Sequence, residues 1–178
     1  MSLVHVAGNP ALDLVGTVAE RGTTDLDELT DPTTLAQWFV DAGIVDRAPR
    51  VTTEDLRAAV RLREHLHALV TALVDGTAPP AAGRAALNRL ARLPAPVPQL
   101  GPDGSVVRRG SAEACLAAVA RAATELYDRD DGAVVRWCAD DRCTHPFLDR
   151  SRNKQRRWCD MATCGDRAKV RRYRGRTT

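Results

Sequence analysis

The chain has 178 residues, 28% of them charged, and a formal net charge of +3. That length suits one domain, or a domain with a small appendage. No apolar run approaches the roughly 18 residues a membrane span needs, and with aromatics at only 4% the core must be built mainly from Leu, Val and Ala, which favours helices. The first residues, "MSLVHVAGNPALDLVG", lack the basic start of a signal peptide. The expected location is therefore the cytoplasm, where thiols stay reduced. Five cysteines there read as metal ligands or core residues before disulfides.

In chain order, "LVHV" at residues 3–6 is a short strand candidate, and residues 11–20 after Asn9-Pro10 can form a helix. "DPTTLAQWFVDAG" predicts a second helix, with Asp31 as N-cap, Pro32 at the first helical position and Gly43 as stop. Leu35, Trp38 and Phe39 would form its apolar face. The strongest helix signal runs from Thr52 to Gly76. Thr52 and Asp55 resemble a capping box, and Leu62, Leu66, Leu69 and Leu73 form one continuous stripe. "PPAAGRAALNRLARL" predicts a weaker helix, interrupted at Gly83. A short Pro-rich linker, Pro94 to Pro98, leads into a hairpin with Asp103-Gly104 in its turn. The next helix is capped by Ser111, with Leu116, Val119, Ala123 and Leu126 facing inward and Cys115 as a small buried hydrophobe. Asp131-Gly132 marks the expected boundary between a domain over 1–132 and a module over 133–178.

The charge is unevenly spread across that boundary. From Arg136 onward there are 13 Lys plus Arg against 5 Asp plus Glu, a net of +8, whereas the first 135 residues carry 13 against 18, a net of −5. Lys occurs only at Lys154 and Lys169, so the composition favours Arg throughout, but that bias does not place half the basic residues in the last 43. Such an asymmetry points to nucleic acid or a membrane surface.

The same tail holds four of the five cysteines. Cys138 and Cys143 enclose four residues, Cys159 and Cys164 enclose four, and fifteen separate the pairs. Zinc takes four soft ligands in a tetrahedron. Each close pair needs only a local turn to aim two thiolates at one point, and the longer gap has room for a β-hairpin. The competing readings are four unrelated buried thiols, for which so polar a segment offers no core, and disulfides, which the compartment disfavours. A redox pair would want the C-x-x-C spacing, which is absent. His145 lies too close to Cys143 to join a shell that four cysteines already fill. His65 and His67 are two apart on a helix and point different ways. The tail's apolar residues are few, so it is expected to need the metal to fold.

After Cys164, a helix is predicted in which Arg167, Lys169, Arg171, Arg172, Arg174 and Arg176 surround Ala168, Val170 and Tyr173, the three left to face inward. Arg150, Arg152, Lys154, Arg156 and Arg157 add charge between the cysteine pairs. Arginine matches phosphate oxygens bidentately, and a basic helix on a rigid module can enter a major groove. The expected nucleic-acid contacts are Arg152, Lys154, Arg156, Arg157, Arg167, Lys169, Arg171, Arg172 and Arg174. RNA or an acidic protein partner would satisfy the same charges.

The stretch "WCADDRCTHPFLDRSRNKQRRWCDMATCGDRAKVRRYRGR" resembles the CGNR zinc-finger family, through its Cys pairs, "FLD", "SRN", "RRWC" and "RAKVRR". "GNPALDLVGTV" with "LTDPTTLAQWFVDAGIV" is similar to the opening of the ABATE domain, found in proteins described as stress-induced regulators. The resemblance implies an α+β architecture: a mostly helical N-terminal domain with a small antiparallel sheet, joined to a treble-clef-like zinc module that binds DNA. By position, Cys138, Cys143, Cys159 and Cys164 match the family's ligands. Two departures stand out. "CGDR" has Asp166 where the signature has Asn, a change that suits a helix cap but would repel a phosphate. Gly16 stands where the family tends to have Asn.

The expected function is a DNA-binding transcription regulator using Zn2+, nucleoid-associated if it binds DNA. Its N-terminal domain would sense a small-molecule effector, meet a protein partner or form a homodimer. The alternative is a zinc module that docks RNA or an acidic protein. An enzyme is not expected: four cysteines leave no open position for water at the metal, and no catalytic set stands out. Asp13 and Glu20 could form a ligand site on the first helix, but an exposed helix face is the expected reading.

Overall fold

The protein is described here from a computed structural model covering residues 5–128 and 132–174. Residues 3 and 4 of the expected first strand, Asp131 and Arg176 lie outside the described residues, and His5 and Val6 form no strand.

The first helix, α1 (Pro10–Val15), starts where Asn9 accepts the Ala11 amide at 2.8 Å. It is shorter than the helix expected over 11–20. Thr17 Oγ1 donates to the Leu14 carbonyl at 2.7 Å and closes the last turn. The chain then enters β1 (Val18–Ala19), which pairs antiparallel with β2 (Leu26–Asp27). Helix α2 (Pro32–Asp41) is capped by Asp31, which accepts the Thr33 and Thr34 amides. Helix α3 (Thr53–Asp75) carries the Thr52–Asp55 capping box and ends on Gly76 in the left-handed region at φ +68°.

Helix α4 (Ala81–Ala91) runs through Gly83 without a break. Gly83 is not an interruption but a contact point. A Cβ there would lie 3.1 Å from Leu69 Cγ and 3.4 Å from the His65 carbonyl oxygen, so the missing side chain lets α4 approach α3. The hairpin β3 (Gln99–Leu100) and β4 (Val106–Val107) forms around the predicted turn. Helix α5 (Ala112–Glu125) follows, capped by Ser111, with Cys115 fully buried. Burial alone pushes the Cys115 thiol up to about 12, as suits a core residue.

Leu12, Leu14 and Val15 of α1, Trp38 and Phe39 of α2, Leu62 and Leu66 of α3 and Val119 of α5 make the core. Among the described residues, one cation enters it. Arg63 lies on the inward stripe of α3, 3% exposed, and donates to both carboxylate oxygens of Asp27 at 2.7 Å. It also reaches Thr17 Oγ1 at 3.1 Å and Glu64 at 3.0 Å. A buried charge is tolerated only when paired in this way, and the pairing pins β2 onto α3. Burial pushes the Asp27 carboxyl up, but the hydrogen bonds and charge of Arg63 and the Leu29 amide outweigh it, leaving its pKa lowered.

The last hairpin, β5 (Val134–Trp137) and β6 (Pro146–Asp149), is antiparallel, with Val135 opposite Leu148 and Arg136 opposite Phe147. This corrects the hairpin expected between the cysteine pairs: it flanks the first pair instead. Residues 150–158 are nearly all polar and run as turns and irregular chain, because they lack the alternating apolar residues a half-buried strand needs. Phe147 and Leu148 join the same core as α1 and α3, and the Leu148 amide donates to the Ala7 carbonyl at 2.8 Å. A two-stranded ribbon is marginal alone, and here the N-terminal helices supply its missing apolar cover. The described chain ends in a π-helical turn (Met161–Gly165) continuing into α6 (Asp166–Arg174).

Candidate metal centre

Two local structures bring the cysteines together. Cys138 and Cys143 sit in the β5–β6 loop. The Cys138 amide extends the ladder to the His145 carbonyl at 3.0 Å, and the Cys143 amide closes a turn on the Asp140 carbonyl at 2.8 Å. Cys159 and Cys164 bracket the start of the helical segment. Asp160 caps that start, accepting the Thr163 amide at 3.0 Å and its hydroxyl at 2.8 Å. The two halves are joined where the Ala139 amide donates to the Arg157 carbonyl at 2.8 Å. A hairpin loop facing a helix N-terminus is the treble-clef-like arrangement the resemblance implied.

The four sulfurs lie within 4.8 Å of one another. Cys143 Sγ and Cys164 Sγ are each 3.6 Å from Cys159 Sγ. Ligands about 2.3 Å from a tetrahedral zinc stand about 3.8 Å apart, so the spacing fits that ion. The nearest sulfurs stand 3.6 Å apart, beyond disulfide bonding distance, and the convergence of all four argues against unrelated thiols. The thiols also share charge. Cys143, held by a hydrogen bond from Cys159 against the effect of burial, falls to about 5. The buried Cys159 thiol, facing Cys143, is pushed up. Burial and the Cys143 charge raise Cys164 to about 11. A bound cation would deprotonate all four.

Donors surround the cluster, as they do around metal-bound thiolates. The Cys159 amide approaches Cys138 Sγ at 3.5 Å, and Arg167 donates to Cys164 Sγ at 3.0 Å. Asp140, 1% exposed, accepts from Arg167 Nε at 2.8 Å and from Arg171 at 2.9 Å. Burial opposes its ionisation, but the hydrogen bond from Arg171, the Arg142 amide and the Arg167 charge bring its pKa down to about 2. Asp149, fully buried, accepts the amides of Ser151 and Arg156 at 2.9 and 3.0 Å. Sequence reasoning singled out neither carboxylate. Their signal was an aspartate inside the "CADDRC" and "FLD" stretches, where a solvated charge is the ordinary reading.

The nine basic residues divide by what they touch. Arg156 stacks over Phe147 at 4.8 Å and donates to the carbonyls of Trp158 and Cys159. Arg167 and Arg171 hold Asp140, and Arg171 also reaches Asp141 at 2.8 Å. Arg157 lies over Trp158 at 4.9 Å, and Lys169 pairs with Asp166 at 2.9 Å. Arg152, Arg172 and Arg174 are exposed, and Lys154 is half-buried with φ at +50°. The inward face predicted for α6 shrinks to half-buried Ala168. No described α6 residue is buried, Val170 is 48% exposed and Tyr173 76%. The helix is anchored at its N-terminus and by Asp140 and Asp141, so its apolar side chains need not reach the core.

The signature positions take definite roles. A Cβ at Gly165 would lie 3.0 Å from Met161 Sδ and 3.2 Å from Trp158 Cδ1, so the glycine permits that close turn. Asp166 does not serve as the expected cap, a role Asp160 fills; it opens α6 and bonds Lys169. Gly16 faces the second module, where a Cβ would stand 3.2 Å from His145 Nδ1. His145 is outside the sulfur cluster, and His67 stacks on Trp137 at 5.3 Å. Asp13 is not an exposed face: it accepts the Ala7 amide at 3.0 Å, and burial raises its pKa against that bond and nearby His5 and His145.

A helical domain carrying a four-sulfur module at its C-terminal side defines a zinc-finger protein. Residues 8–130 match the ABATE family, described as "Putative stress-induced transcription regulator", and residues 135–177 match the CGNR zinc finger. The chain belongs to the ABATE family and ends in a CGNR zinc finger, with Zn2+ as its metal. Neither family is one of enzymes. No curated protein matches the chain. No described helix is long and apolar enough to cross a membrane.

Proposed function

We propose that the protein is a DNA-binding transcription regulator in which residues 133–178 grip duplex DNA and residues 1–132 receive a signal, through a small effector, a partner or a second copy. The observation that carries this reading is α6: a basic helix rooted at the metal centre, with no described residue buried. A basic helix whose side chains are largely exposed is suited to a partner's surface, and its charge selects a polyanion. Cys138, Cys143, Cys159 and Cys164 would hold the ion. Arg167 and Arg171 would set the angle of α6 through Asp140, and Arg156 would brace the loop. Arg152, Lys154, Arg157, Lys169, Arg172 and Arg174 would then meet phosphates.

The test is a salt titration of duplex binding by the zinc-loaded full chain. Five or six phosphate contacts require log K to fall against log salt with a slope of about −5. Binding indifferent to salt, or none with zinc present, contradicts the reading. One observation favours a second partner class: Tyr173 and Val170 are exposed among the arginines, a mixture that also suits stacked bases of single-stranded RNA or an acidic protein. Competition by single-stranded RNA and an acidic peptide decides between them.

A further inference from the structure

The four sulfurs are not equally placed. Cys138, Cys159 and Cys164 are 8%, 3% and 2% exposed, whereas Cys143 is half-buried. It opens onto a cleft of about 520 Å³ between α3 and the loop after β5, lined by Arg21, His67, Thr71, Trp137 and Thr144. Cys164 carries the Arg167 guanidinium, which blunts its nucleophilicity by drawing on its negative charge, and Cys138 takes the Cys159 amide. Cys143 is thus the sulfur that a small solute can reach, and the Cys159 sulfur stands behind it at 3.6 Å.

We propose that Cys143 is a modification site for hydrogen peroxide, and that its oxidation opens the metal centre. The Cys143 thiolate attacks one peroxide oxygen. An S–O bond forms, the O–O bond breaks and hydroxide leaves, giving a sulfenic acid. The Cys159 thiolate then attacks the Cys143 sulfur. The S–S bond forms, the S–O bond breaks and a second hydroxide leaves. Two thiolates lose two electrons between them, and one peroxide is reduced to two hydroxides. A disulfide needs its sulfurs about 2.05 Å apart, so the pair must close from 3.6 Å. Cys138 and Cys164 are then left as a two-sulfur site, too few for the tetrahedral shell. With its root dissolved, α6 loses its anchor at the sulfurs and leans on contacts such as those of Arg167 and Arg171 with Asp140 and Asp141.

The inference rests on the zinc site and not on DNA binding, so its failure would leave the regulator reading intact. The experiment treats zinc-loaded full-length protein with limiting hydrogen peroxide. Released zinc is followed with a chromophoric chelator, and the modified cysteines are mapped by peptide mass. The expected result is one zinc released per peroxide consumed, with Cys143–Cys159 as the first cross-link. Two variants sharpen it. Thr71→Trp fills the cleft from α3 and should slow release about five-fold or more with zinc content unchanged, because oxidation follows access. Cys143→His keeps a Cys3His shell and should slow release about ten-fold. If Cys143→His takes up no zinc, the map and Thr71→Trp decide. First modification at Cys138 or Cys164, zinc retained after Cys143 oxidises, or parental release rates in Thr71→Trp would each overturn the proposal.

Discussion

Arg167 and Asp140 form the contact that fixes α6 to the first cysteine loop. Arg167 Nε donates to the buried Asp140 carboxylate at 2.8 Å while the same guanidinium reaches Cys164 Sγ at 3.0 Å. One cation therefore ties both cysteine pairs together, and Arg171 adds a second bond to Asp140 one turn on.

Replacing Asp140 by Ala should leave zinc content unchanged but cost about 2 kcal/mol of stability, since two charge-assisted hydrogen bonds to a buried carboxylate are lost. Denaturant unfolding of the zinc-loaded variant measures this. A loss within error would mean that α6 is held by the sulfurs alone.

Removing zinc should undo the C-terminal module and weaken its neighbours. Structural zinc contributes roughly 10 kcal/mol or more to folding modules of this kind. Phe147 and Leu148 share the core of α1 and α3, so the loss will spread. Hydrogen exchange after chelation should show amides of 134–174 exposed first, with α3 and α5 retaining the slowest exchange but less protection than in the zinc-loaded chain.

Gly83→Ala should destabilise the protein by about 1 kcal/mol, although alanine is the better helix former by about that amount. The new Cβ would meet Leu69 Cγ at 3.1 Å. That atom is a branch point in the core, so α4 must move off α3 to relieve it. A raised melting temperature would mean that the helices separate without cost.

The Asp27–Arg63 pair gives a pH dependence of definite sign. The folded pKa of Asp27 is lowered from 3.8. Its contribution is therefore complete above the unfolded value and lost as pH falls through the folded one. The stability difference between the parent and Asp27→Asn should be full near neutral pH and shrink below about 4. Zinc loss at low pH affects both proteins alike and cancels in the difference. A gap that widened on acidification would contradict the pairing.

What was legible in the sequence was what depends on local periodicity and on spacing. The helix α3 with its cap and stop, the Asp31 cap of α2, the Asp103-Gly104 turn and the cysteine quartet all follow from short-range chemistry. What was hidden depends on long-range partners. Nothing near Arg63 announces that Asp27, 36 residues away, will meet it in the core. Phe147 and Leu148 read as a meagre core for a small module because the helices that cover them lie over 70 residues earlier. Gly83 read as a break because its contact is with another helix. Val170 and Tyr173 read as an inward face because they are what remains beside the basic residues, a reading blind to a helix anchored at one end.

The most direct test of the account follows zinc occupancy and duplex affinity in the same samples of full-length protein. The account predicts that one zinc per chain is bound and that affinity rises in proportion to occupancy, because the metal roots the helix that carries the arginines. A metal-free chain that binds duplex DNA as tightly as the zinc-loaded one would contradict it.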